Sequence, residues 1–556
     1  MKNVLLKLPM FPKMTIYALP GILVLLFSSC QVEPAQVEDF SPTLETHIRT
    51  LSSDAFEGRA PATAGGRKTV DYLETAFREA GLQPAVNGSF RQAVPLVEIT
   101  GYNFSPMFIR GEQTEHAYSY RSQVVVGSPL LQAEISLDGS EMVFVGYGIV
   151  APEYGWNDYE GVDVRGKTVV ILVNDPGYAT QDPELFTGNA MTYYGRWTYK
   201  YEEAARQGAA AALIVHEDGP AGYGWDVVRN SWTGPQYDLD LQNGENRLLV
   251  EGWLHQEVAR EVFKNAGTTL TDAMDRAARP GFSAEPMDLY ASIDFQNRYE
   301  QKDCYNVAGY IEGSRYPDEV FIYMGHWDHL GKEETEDGEV LIYNGAIDNA
   351  TGTAGLIAMA ERFVALEERP ERSVLFIAVT AEESGLIGSR YYSENPLFPI
   401  ATTVGGINMD GLNVYGPTSD LEVVGLGFSE LDDYLGRHAA EFDRYLKREP
   451  EPEKGYYFRS DHFNLARVGV PMIFANGGSD FVGRDEAYAE QVRQDMEKRY
   501  HQPTDVVHDM WDFSGIHQDL WLFFNIGLEL ANSRDFPNWS EDSEFRAIRD
   551  ATISNP

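Results

Sequence analysis

Residues 319–331 read EVFIYMGHWDHLG, an apolar run that ends in His326 and Asp328. Residues 320–324 are continuously apolar, which is typical of a strand buried on both faces of a parallel sheet. Polar side chains directly after such a strand lie at the carboxyl edge of the sheet, where open α/β sheets bind ligands. The stretch therefore predicts both a buried sheet and a site at its edge.

Four further segments place acidic or histidine residues at the ends of apolar runs, at the start of a helix or in a loop. They are SVLFIAVTAEESG at 373–385 with Glu382 and Glu383, TTVGGINMDG at 402–411 with Asp410, NGAIDNATGTAG at 344–355 with Asp348, and RYHQPTDVVHD at 499–509 with His501. Carboxylates and imidazoles are the zinc ligands that remain when thiolates are absent. Taken singly, these residues are more simply explained without a metal, Asp348 as a helix cap and Glu382 with Glu383 as a solvated surface pair. The set together indicates a two-metal hydrolase.

The sequence around these segments alternates strand and helix from about residue 286. Val/Ile/Phe-rich strands separated by amphipathic helices predict an α/β fold, with a mainly parallel central sheet covered by helices on both faces. Near the N-terminus, Val70, Leu73 and Phe77 recur at helical spacing, and Gly81 is placed to end that helix.

The middle of the chain has a different character. It contains short apolar strands, one helix and loops rich in Gly, Tyr, Trp and Asn, and it contains none of the candidate ligands. We therefore predict an inserted smaller α/β domain at 115–285. The full predicted order is a signal peptide at 1–30, a tether at 31–40, the N-terminal part of the catalytic domain at 41–114, the insert, and the catalytic domain at 286–556.

Composition excludes several classes of protein. The residues are 43% hydrophobic and 12% aromatic, which is too apolar for a disordered chain. A length of 556 residues is too great for one hydrophobic core, so two or more domains are expected. The formal net charge of −41 argues against nucleic acid or anionic lipid as a partner. The two cysteines, Cys30 and Cys304, exclude a disulfide framework and cysteine-rich metal sites.

The N-terminus predicts export. Three lysines precede the apolar stretch 14–26, which has the length of a secretory signal rather than of a membrane span. The stretch ends in LFSSC, which resembles a bacterial lipoprotein signal and implies lipidation of Cys30. The protein would then be a membrane-anchored lipoprotein outside the bacterial cytoplasm, attached only through Cys30. A soluble secreted protein with an incidental cysteine is the alternative.

The motifs HWDHLG, GAIDNATG, AEESGLIGS, NMDG, SDHFNLARVGVPMIF and YHQPTD, in this order, resemble those of the bacterial co-catalytic zinc aminopeptidases. That superfamily includes glutamate carboxypeptidase, glutaminyl cyclase and the transferrin receptor. The resemblance covers about 286–530, and the 115–285 insert resembles the protease-associated domain of these peptidases. It implies a zinc exopeptidase fold and a hydrolase that cleaves N-terminal residues from peptides by means of a water shared between two Zn²⁺ ions per chain.

The resemblance also implies roles for individual residues. His326, Asp348 and Asp410 would bind one zinc, and Asp348, Glu383 and His501 would bind the other. Glu382 would be the general base, Asp328 would hold His326 by a hydrogen bond, and Tyr500 would steady the oxyanion. The segment Ser460–Asp461–His462 matches the family without an assigned role.

Three alternatives to an aminopeptidase stay open at this point. A carboxypeptidase, dipeptidase or amidase of the same superfamily would use the same ligands. A glutaminyl cyclase fits the complete two-metal ligand set less well. A non-catalytic binding module would be expected to have lost ligands, and here the ligands and Glu382 are all present. The sequence does not define the oligomeric state or the preferred N-terminal residue.

Overall fold

The structure, a computed structural model, describes residues 37–240, 247–335 and 337–554. The predicted signal peptide, most of the tether and Cys30 lie outside the described residues. Within the described ranges, no helix combines the length and apolar character needed to cross a membrane.

Four parallel strands form the centre of the main sheet. Tyr316–His326 pairs in parallel with Arg372–Val379 on one side and with Thr403–Asn408 on the other, and Met472–Gly477 pairs in parallel with Thr403–Asn408. Antiparallel strands flank this group, one at Glu285–Ile311 and one at Asp420–Val423. The predicted α/β fold with parallel strands at the centre of its sheet is thus confirmed, although the sheet as a whole is mixed.

Helices cover both faces of this sheet. Along Tyr316–His326, Tyr323 belongs to a buried cluster with Leu356, whereas its neighbour Ile322 belongs to a second buried cluster with Tyr392. Alternate side chains of a strand point to opposite faces, so the two clusters are two separate layers of core. Each fully buried aliphatic or aromatic side chain contributes about 1.5–3 kcal/mol, which makes the four-strand centre a rigid base for the edge where the strands end.

The N-terminal helix forms as its sequence predicts. It spans Ala64–Ala80, and Thr63 caps its start by accepting a hydrogen bond from the Gly66 N–H. Gly81 ends the helix in the left-handed conformation (φ 97°), with its N–H bonded to the Arg78 carbonyl. A glycine tolerates this conformation without strain, which is why the helix ends there.

The secondary structure of the catalytic part includes nine α-helices and eleven strands within the described residues. The helices are Leu44–Leu51, Ala64–Ala80, Gly352–Val364, Ile387–Glu394, Leu431–Glu441, His462–Arg467, Glu486–Arg499, Ser514–Asn532 and Arg546–Ser554. The strands are Gln83–Pro84, Arg91–Tyr102, Glu285–Ile311, Tyr316–His326, Gly331–Glu334, Val340–Tyr343, Arg372–Val379, Thr403–Asn408, Asp420–Val423, Tyr445–Arg448 and Met472–Gly477.

The middle segment has hydrophobic clusters of its own, formed by residues between 107 and 295. Its strands are Met107–Arg110, Glu115–Tyr118, Val124–Gly127, Glu134–Phe144, Val150–Ala151, Trp156–Asn157, Thr168–Leu172, Ala211–Val215, Pro235–Leu239 and Val250–Leu254. Its helices are Pro176–Thr180, Trp197–Arg206, Asp218–Ala221, Trp225–Ser231, Gln256–Asn265 and Leu270–Ala277. The predicted boundaries at 115 and 285 and the resemblance to a protease-associated domain stay predictions.

One strand joins the two parts. Glu285–Ile311 is 27 residues long, and it pairs with Glu134–Phe144 of the middle segment near its start. It pairs with Arg91–Tyr102 along its centre and with Arg372–Val379 of the main sheet at its end. The middle segment is therefore connected to the catalytic sheet through a continuous backbone ladder.

Candidate metal centre and active site

The ends of three adjacent parallel strands bring the acidic and histidine residues together. His326 is the last residue of its strand and lies opposite Val379, the last residue of the neighbouring strand. Glu382 and Glu383 follow Val379 by a few residues, and Asp410 follows Asn408 on the other side. Because parallel strands all end at the same edge, these side chains meet there.

A first group of candidate ligands surrounds the imidazole of His326. Its Nε2 lies 3.2 Å from Oδ1 of Asp348 and 3.2 Å from Oδ1 of Asp410. Ligand atoms of the three side chains all lie within 4.8 Å of one another. His326 is buried, and the two carboxylates are largely buried beside it.

A second group lies on the other side of Asp348. Nε2 of His501 is 3.2 Å from Oδ2 of Asp348 and 3.1 Å from Oε2 of Glu383. Asp348 therefore directs one carboxylate oxygen toward His326 and the other toward His501. This is the geometry expected of a carboxylate that bridges two ions, the role that the resemblance implies for it.

These separations fit zinc. Two ligand atoms bound at 2.0–2.2 Å to one tetrahedral zinc ion are about 3.4 Å apart. The four imidazole-to-carboxylate distances in the two groups are 3.1–3.2 Å, close to that value. The nitrogen and oxygen donors are also of the type that zinc binds.

His329 joins the second group although we did not select it from the sequence. Its Nδ1 lies 2.5 Å from Oε1 of Glu383, and ligand atoms of His329, Asp348 and Glu383 lie within 4.8 Å of one another. Its Nε2 is buried and has no hydrogen-bond partner among the described residues. The signal was present in the HWDHLG motif, which contains two histidines three residues apart.

Asp328 is buried beside His326, but its contacts differ from those expected. Its carboxylate Oδ1 is 3.9 Å from Nδ1 of His326, too far for a hydrogen bond. The Asp328 backbone carbonyl lies 3.2 Å from the same nitrogen and can accept its proton, which leaves Nε2 free to bind a metal. Oδ1 instead accepts a hydrogen bond from the Glu382 N–H at 3.2 Å, and burial raises the pKa of Asp328 to about 6.

The loop that carries Asp348 is fixed by two polar side chains. Asp505 accepts hydrogen bonds from the N–H of Ile347 at 3.0 Å and of Asp348 at 3.2 Å. Asn349 donates to the Met409 carbonyl at 2.9 Å and so links this loop to the Asp410 segment. Asp505 lies in the quoted segment 499–509, but nothing in the sequence marked it as a partner of a loop 157 residues away.

The side chain of Arg59 binds the backbone of two further loops of the site, one at Trp327 and one at Asn344 and Gly345. It is fully buried, and its guanidinium donates to the carbonyls of Trp327 at 3.0 Å, Asn344 at 2.6 Å and Gly345 at 2.8 Å. A fourth hydrogen bond reaches the Leu51 carbonyl. Burial lowers the pKa of Arg59 to about 10, and the carboxylates of the site oppose this decrease.

Glu382 has the surroundings of a proton acceptor. Burial raises its pKa well above the usual range; His326 opposes this shift, and the carboxylates of Asp410 and Glu383 add to it. Perturbed carboxyl groups of this kind are typical of residues that transfer protons in general acid–base catalysis.

Ser460 and Asp461 border the first group. Ser460 Oγ donates a hydrogen bond to Oδ2 of Asp410 at 2.6 Å and accepts one from Asn408 at 2.7 Å, so it orients the candidate ligand Asp410. The Asp461 carboxyl is buried, and burial raises its pKa to about 7. The segment for which the sequence suggested no role thus includes a positioning residue for Asp410.

Tyr500 lies at the outer border of the site. Its side chain is 64% exposed, and its ring stacks on His501 with 3.9 Å between the ring centroids. The contact explains how Tyr500 helps to orient His501. Its role in steadying an oxyanion stays a prediction.

An α/β sheet with two groups of candidate metal ligands at its carboxyl edge, sharing one aspartate, defines the class of domain. Residues 306–524 match the sequence model of Peptidase family M28. This part of the chain belongs to that family of zinc metallopeptidases.

Curated relatives match shorter parts of the chain. Aminopeptidase NAALADL1 of Mus musculus is 33% identical over 139 residues, covering 24% of this chain and 17% of that protein. "Probable glutamate carboxypeptidase AMP1" of Arabidopsis thaliana is 32% identical over 305 residues, covering 48% of this chain and 37% of that protein. The chain thus spans well under two thirds of the length of these relatives.

Solved structures with similar folds include the aminopeptidase from Aneurinibacillus sp. strain AM-1. It is 17% identical with a TM-score of 0.48, covering 90% of this chain and 96% of that one. A peptidase M28 precursor from Shewanella amazonensis SB2B is 16% identical with a TM-score of 0.41, covering 89% and 94% of the two chains.

Proposed function

We propose that the protein is an exported zinc aminopeptidase that removes N-terminal residues from peptides and holds two zinc ions per chain. The observation that carries this proposal is the position of Asp348, whose two oxygens lie 3.2 Å from His326 on one side and 3.2 Å from His501 on the other. The adjacent carboxyl group of Glu382 supplies the proton acceptor that hydrolysis needs.

The chain's own residues would divide the work as follows. His326, Asp348 and Asp410 would hold one zinc ion, and Asp348, Glu383 and His501 would hold the other. Bound zinc would polarise the scissile carbonyl and lower the pKa of water. Glu382 would accept a proton from the attacking water at its carboxylate and later donate it to the leaving amine, while Ser460 keeps Asp410 in place.

Recognition of a free N-terminus is supported by charge. The chain contains 85 acidic and 44 basic residues, and the site itself concentrates carboxylates at one edge of the sheet. Such a field favours a substrate that carries a positive α-amine close to the scissile bond. A peptide with a blocked N-terminus lacks that charge.

A carboxypeptidase is the second candidate, because the curated relative with 305 aligned residues is named as a glutamate carboxypeptidase. One set of peptides separates the candidates: a parent peptide, its N-acetyl form and its C-terminal amide, with products identified by mass spectrometry. An aminopeptidase cleaves the parent and the amide from the N-terminus and leaves the acetylated peptide intact. Equal cleavage of acetylated and free peptides contradicts the proposal and favours a carboxypeptidase or amidase.

Export and lipid anchoring through Cys30 form a separate part of the proposal, supported by the signal-like sequence of residues 1–30. Cys30→Ser should leave the precursor uncleaved or release the protein from membranes. Stable attachment needs more than one acyl chain, as bacterial lipoproteins carry. If the Cys30→Ser protein is processed and fractionates like wild type, the soluble secreted alternative is favoured.

A further inference from the structure

The helix His462–Arg467 begins next to a side chain that contacts a candidate metal ligand. Ser460, two residues before the helix, donates a hydrogen bond from its Oγ to Oδ2 of Asp410 at 2.6 Å. Ser460 is itself held by Asn408, whose Nδ2 donates to the same Oγ at 2.7 Å. A displacement of the helix would move Ser460 and so loosen its hydrogen bond to Asp410.

The same helix is bonded to the loop that contains Glu382. Asn464 donates from Nδ2 to the Leu386 carbonyl at 3.0 Å and to Ser389 Oγ at 2.9 Å. The Leu386 N–H donates to the Glu382 carbonyl at 2.9 Å, which closes the turn after the two adjacent glutamates. Asn464 is buried, and hydrogen bonds shielded from water are stronger than exposed ones. One helix is thus bonded both to the loop of the candidate proton acceptor and, through the residue before it, to a candidate ligand.

The middle segment contacts this helix at its C-terminal end. Oε2 of Glu202, in the helix Trp197–Arg206, accepts a hydrogen bond from Nη2 of Arg467 at 2.9 Å. The Tyr193 hydroxyl donates to the same oxygen at 2.7 Å. The side chains of Glu202 and Arg467 are each 31% exposed, and an ion pair exposed to this extent contributes little by itself. The strength of the contact therefore depends on Tyr193 as well.

The ring of Tyr193 adds apolar contacts to the polar one. Its centroid lies 5.2 Å from that of Phe463 and 6.4 Å from that of Phe458, which are both buried residues of the catalytic part. The Arg467 guanidinium lies 5.6 Å from the centre of the same ring. Aromatic pairs at such separations stabilise a contact beyond the area that they bury. Tyr193 thus contacts the helix through its ring and, through Glu202, by a hydrogen bond.

The chain before Ser460 is bound to the middle segment as well. The Met191 N–H donates to the Pro452 carbonyl at 3.1 Å. Gly455, with a φ of 62°, lies so close to Met191 that a Cβ at this glycine would be 2.5 Å from the methionine Sδ. Contacts with the middle segment therefore lie on both sides of Ser460 along the chain, at 452–455 before it and on the helix after it.

We infer that Tyr193 and Glu202 of the middle segment are positioning residues for the metal centre, which act on it through the helix His462–Arg467. Residues that orient a metal ligand from outside its coordination sphere strengthen metal binding. The inference rests on the proposed function for the identity of the metal site. It adds that the middle segment supports zinc binding, although it contributes no candidate ligand within the described residues.

The test measures zinc affinity and needs no substrate. Titration of the metal-free protein with zinc against a competing chelator gives the dissociation constants of wild type, Tyr193→Ala and Glu202→Gln. Removing a residue that touches a ligand typically costs about 10–100-fold in metal affinity, so for these more distant residues we expect at least one constant to weaken by about three- to tenfold. A wild type that binds fewer than two ions contradicts the proposed two-zinc centre. Two normal constants in wild type and in both variants contradict only the inference.

Tyr193→Phe and Glu203→Gln are the matched controls. Tyr193→Phe keeps the ring contacts and loses only the hydroxyl, so it should retain most of the affinity that Tyr193→Ala loses. Glu203 is the neighbour of Glu202 on the same helix, and it accepts hydrogen bonds from Arg206 at 2.8 Å and Gln207 at 2.7 Å, both in the middle segment. Glu203→Gln should therefore bind zinc like wild type.

Arg467→Gln shows whether Glu202 acts through its partner on the helix. Both single variants remove the same contact, so Glu202→Gln/Arg467→Gln should bind zinc no more weakly than either one alone. These polar variants also decide the question if Tyr193→Ala does not fold. Wild-type zinc constants in Glu202→Gln and Arg467→Gln overturn the inference even if melting temperatures fall, because that fall would show only that the two parts stabilise each other. Equal weakening in Glu203→Gln overturns it too, because the effect would then be a general loosening of the middle segment.

Discussion

Nδ1 of His329 lies 2.5 Å from Oε1 of Glu383, on the side of that carboxylate opposite to His501. Glu383 is thus held between two imidazoles, one buried and one partly exposed. We interpret the exposed one, His501, as the metal ligand, because it contacts Asp348 as well as Glu383. The buried one, His329, would then orient Glu383 by a charge-assisted hydrogen bond.

This division of roles predicts different losses of metal. Replacing His501 by alanine should reduce the zinc content at saturation from two ions to one. Replacing His329 by alanine should leave two ions but weaken the affinity for one of them by about 10–100-fold, as expected when a residue that orients a ligand is removed. Elemental analysis and titration with a competing chelator measure both quantities. If the His329 variant loses an ion and the His501 variant retains two, His329 is the metal ligand and His501 is the residue that orients Glu383.

Arg59 should be important for stability although it is far from the catalytic residues in sequence. In Arg59→Met, the carbonyls of Leu51, Trp327, Asn344 and Gly345 lose their donor. Each unsatisfied buried group costs about 1–3 kcal/mol, so we expect a loss of at least about 3 kcal/mol in the free energy of unfolding. Urea unfolding of the metal-free protein measures this change.

Arg67→Met provides the control for that measurement. Arg67 makes one exposed hydrogen bond, to the Ala62 carbonyl at 3.0 Å, and its replacement should change the free energy of unfolding by less than about 0.5 kcal/mol. Similar losses in the Arg59 and Arg67 variants would show that the buried bonds of Arg59 do not stabilise the loops.

His462 should contribute to acid sensitivity. It is fully buried between the rings of Tyr457 and Phe474, and burial lowers its pKa from 6.5 to about 3. Between these values the unfolded chain binds a proton at His462 and the folded chain does not, so this residue makes the free energy of unfolding fall as pH decreases below 6.5. From pH 6.5 to pH 5 the contribution is about 1.5 kcal/mol.

In His462→Phe and His462→Leu, the decrease in the free energy of unfolding between pH 6.5 and 5 should therefore be smaller by about that amount. Denaturant unfolding of metal-free protein at several pH values gives this slope, which is independent of any constant loss from altered packing. A slope identical to wild type in both variants would mean that the pKa of His462 is the same in the folded and unfolded chains.

The sequence alone predicts those parts of the fold and site that local patterns determine. Continuous apolar runs such as 320–324 mark strands buried on both faces, and parallel strands end at one edge, so the proximity of His326 to Asp410 follows from chain geometry. The helix that ends at Gly81 follows from periodicity and a glycine cap.

The remainder depends on contacts between residues distant in the chain, which no local pattern encodes. Asp505 supports Asp348 across 157 positions, and Arg59 contacts Gly345 across 286. The strand Glu285–Ile311 begins at the boundary expected between two domains and pairs with strands on both sides of it, which no local pattern of the sequence indicates.

The central claim is that Glu382 transfers the proton while its neighbour Glu383 binds metal. The most direct test is to measure zinc content and kcat of Glu382→Gln beside Glu383→Gln. The account predicts that Glu382→Gln keeps two zinc ions and its substrate affinity while kcat and kcat/KM both fall by at least about a hundredfold, whereas Glu383→Gln loses zinc and activity together. A Glu382→Gln enzyme with near wild-type kcat, or one that loses zinc, contradicts it.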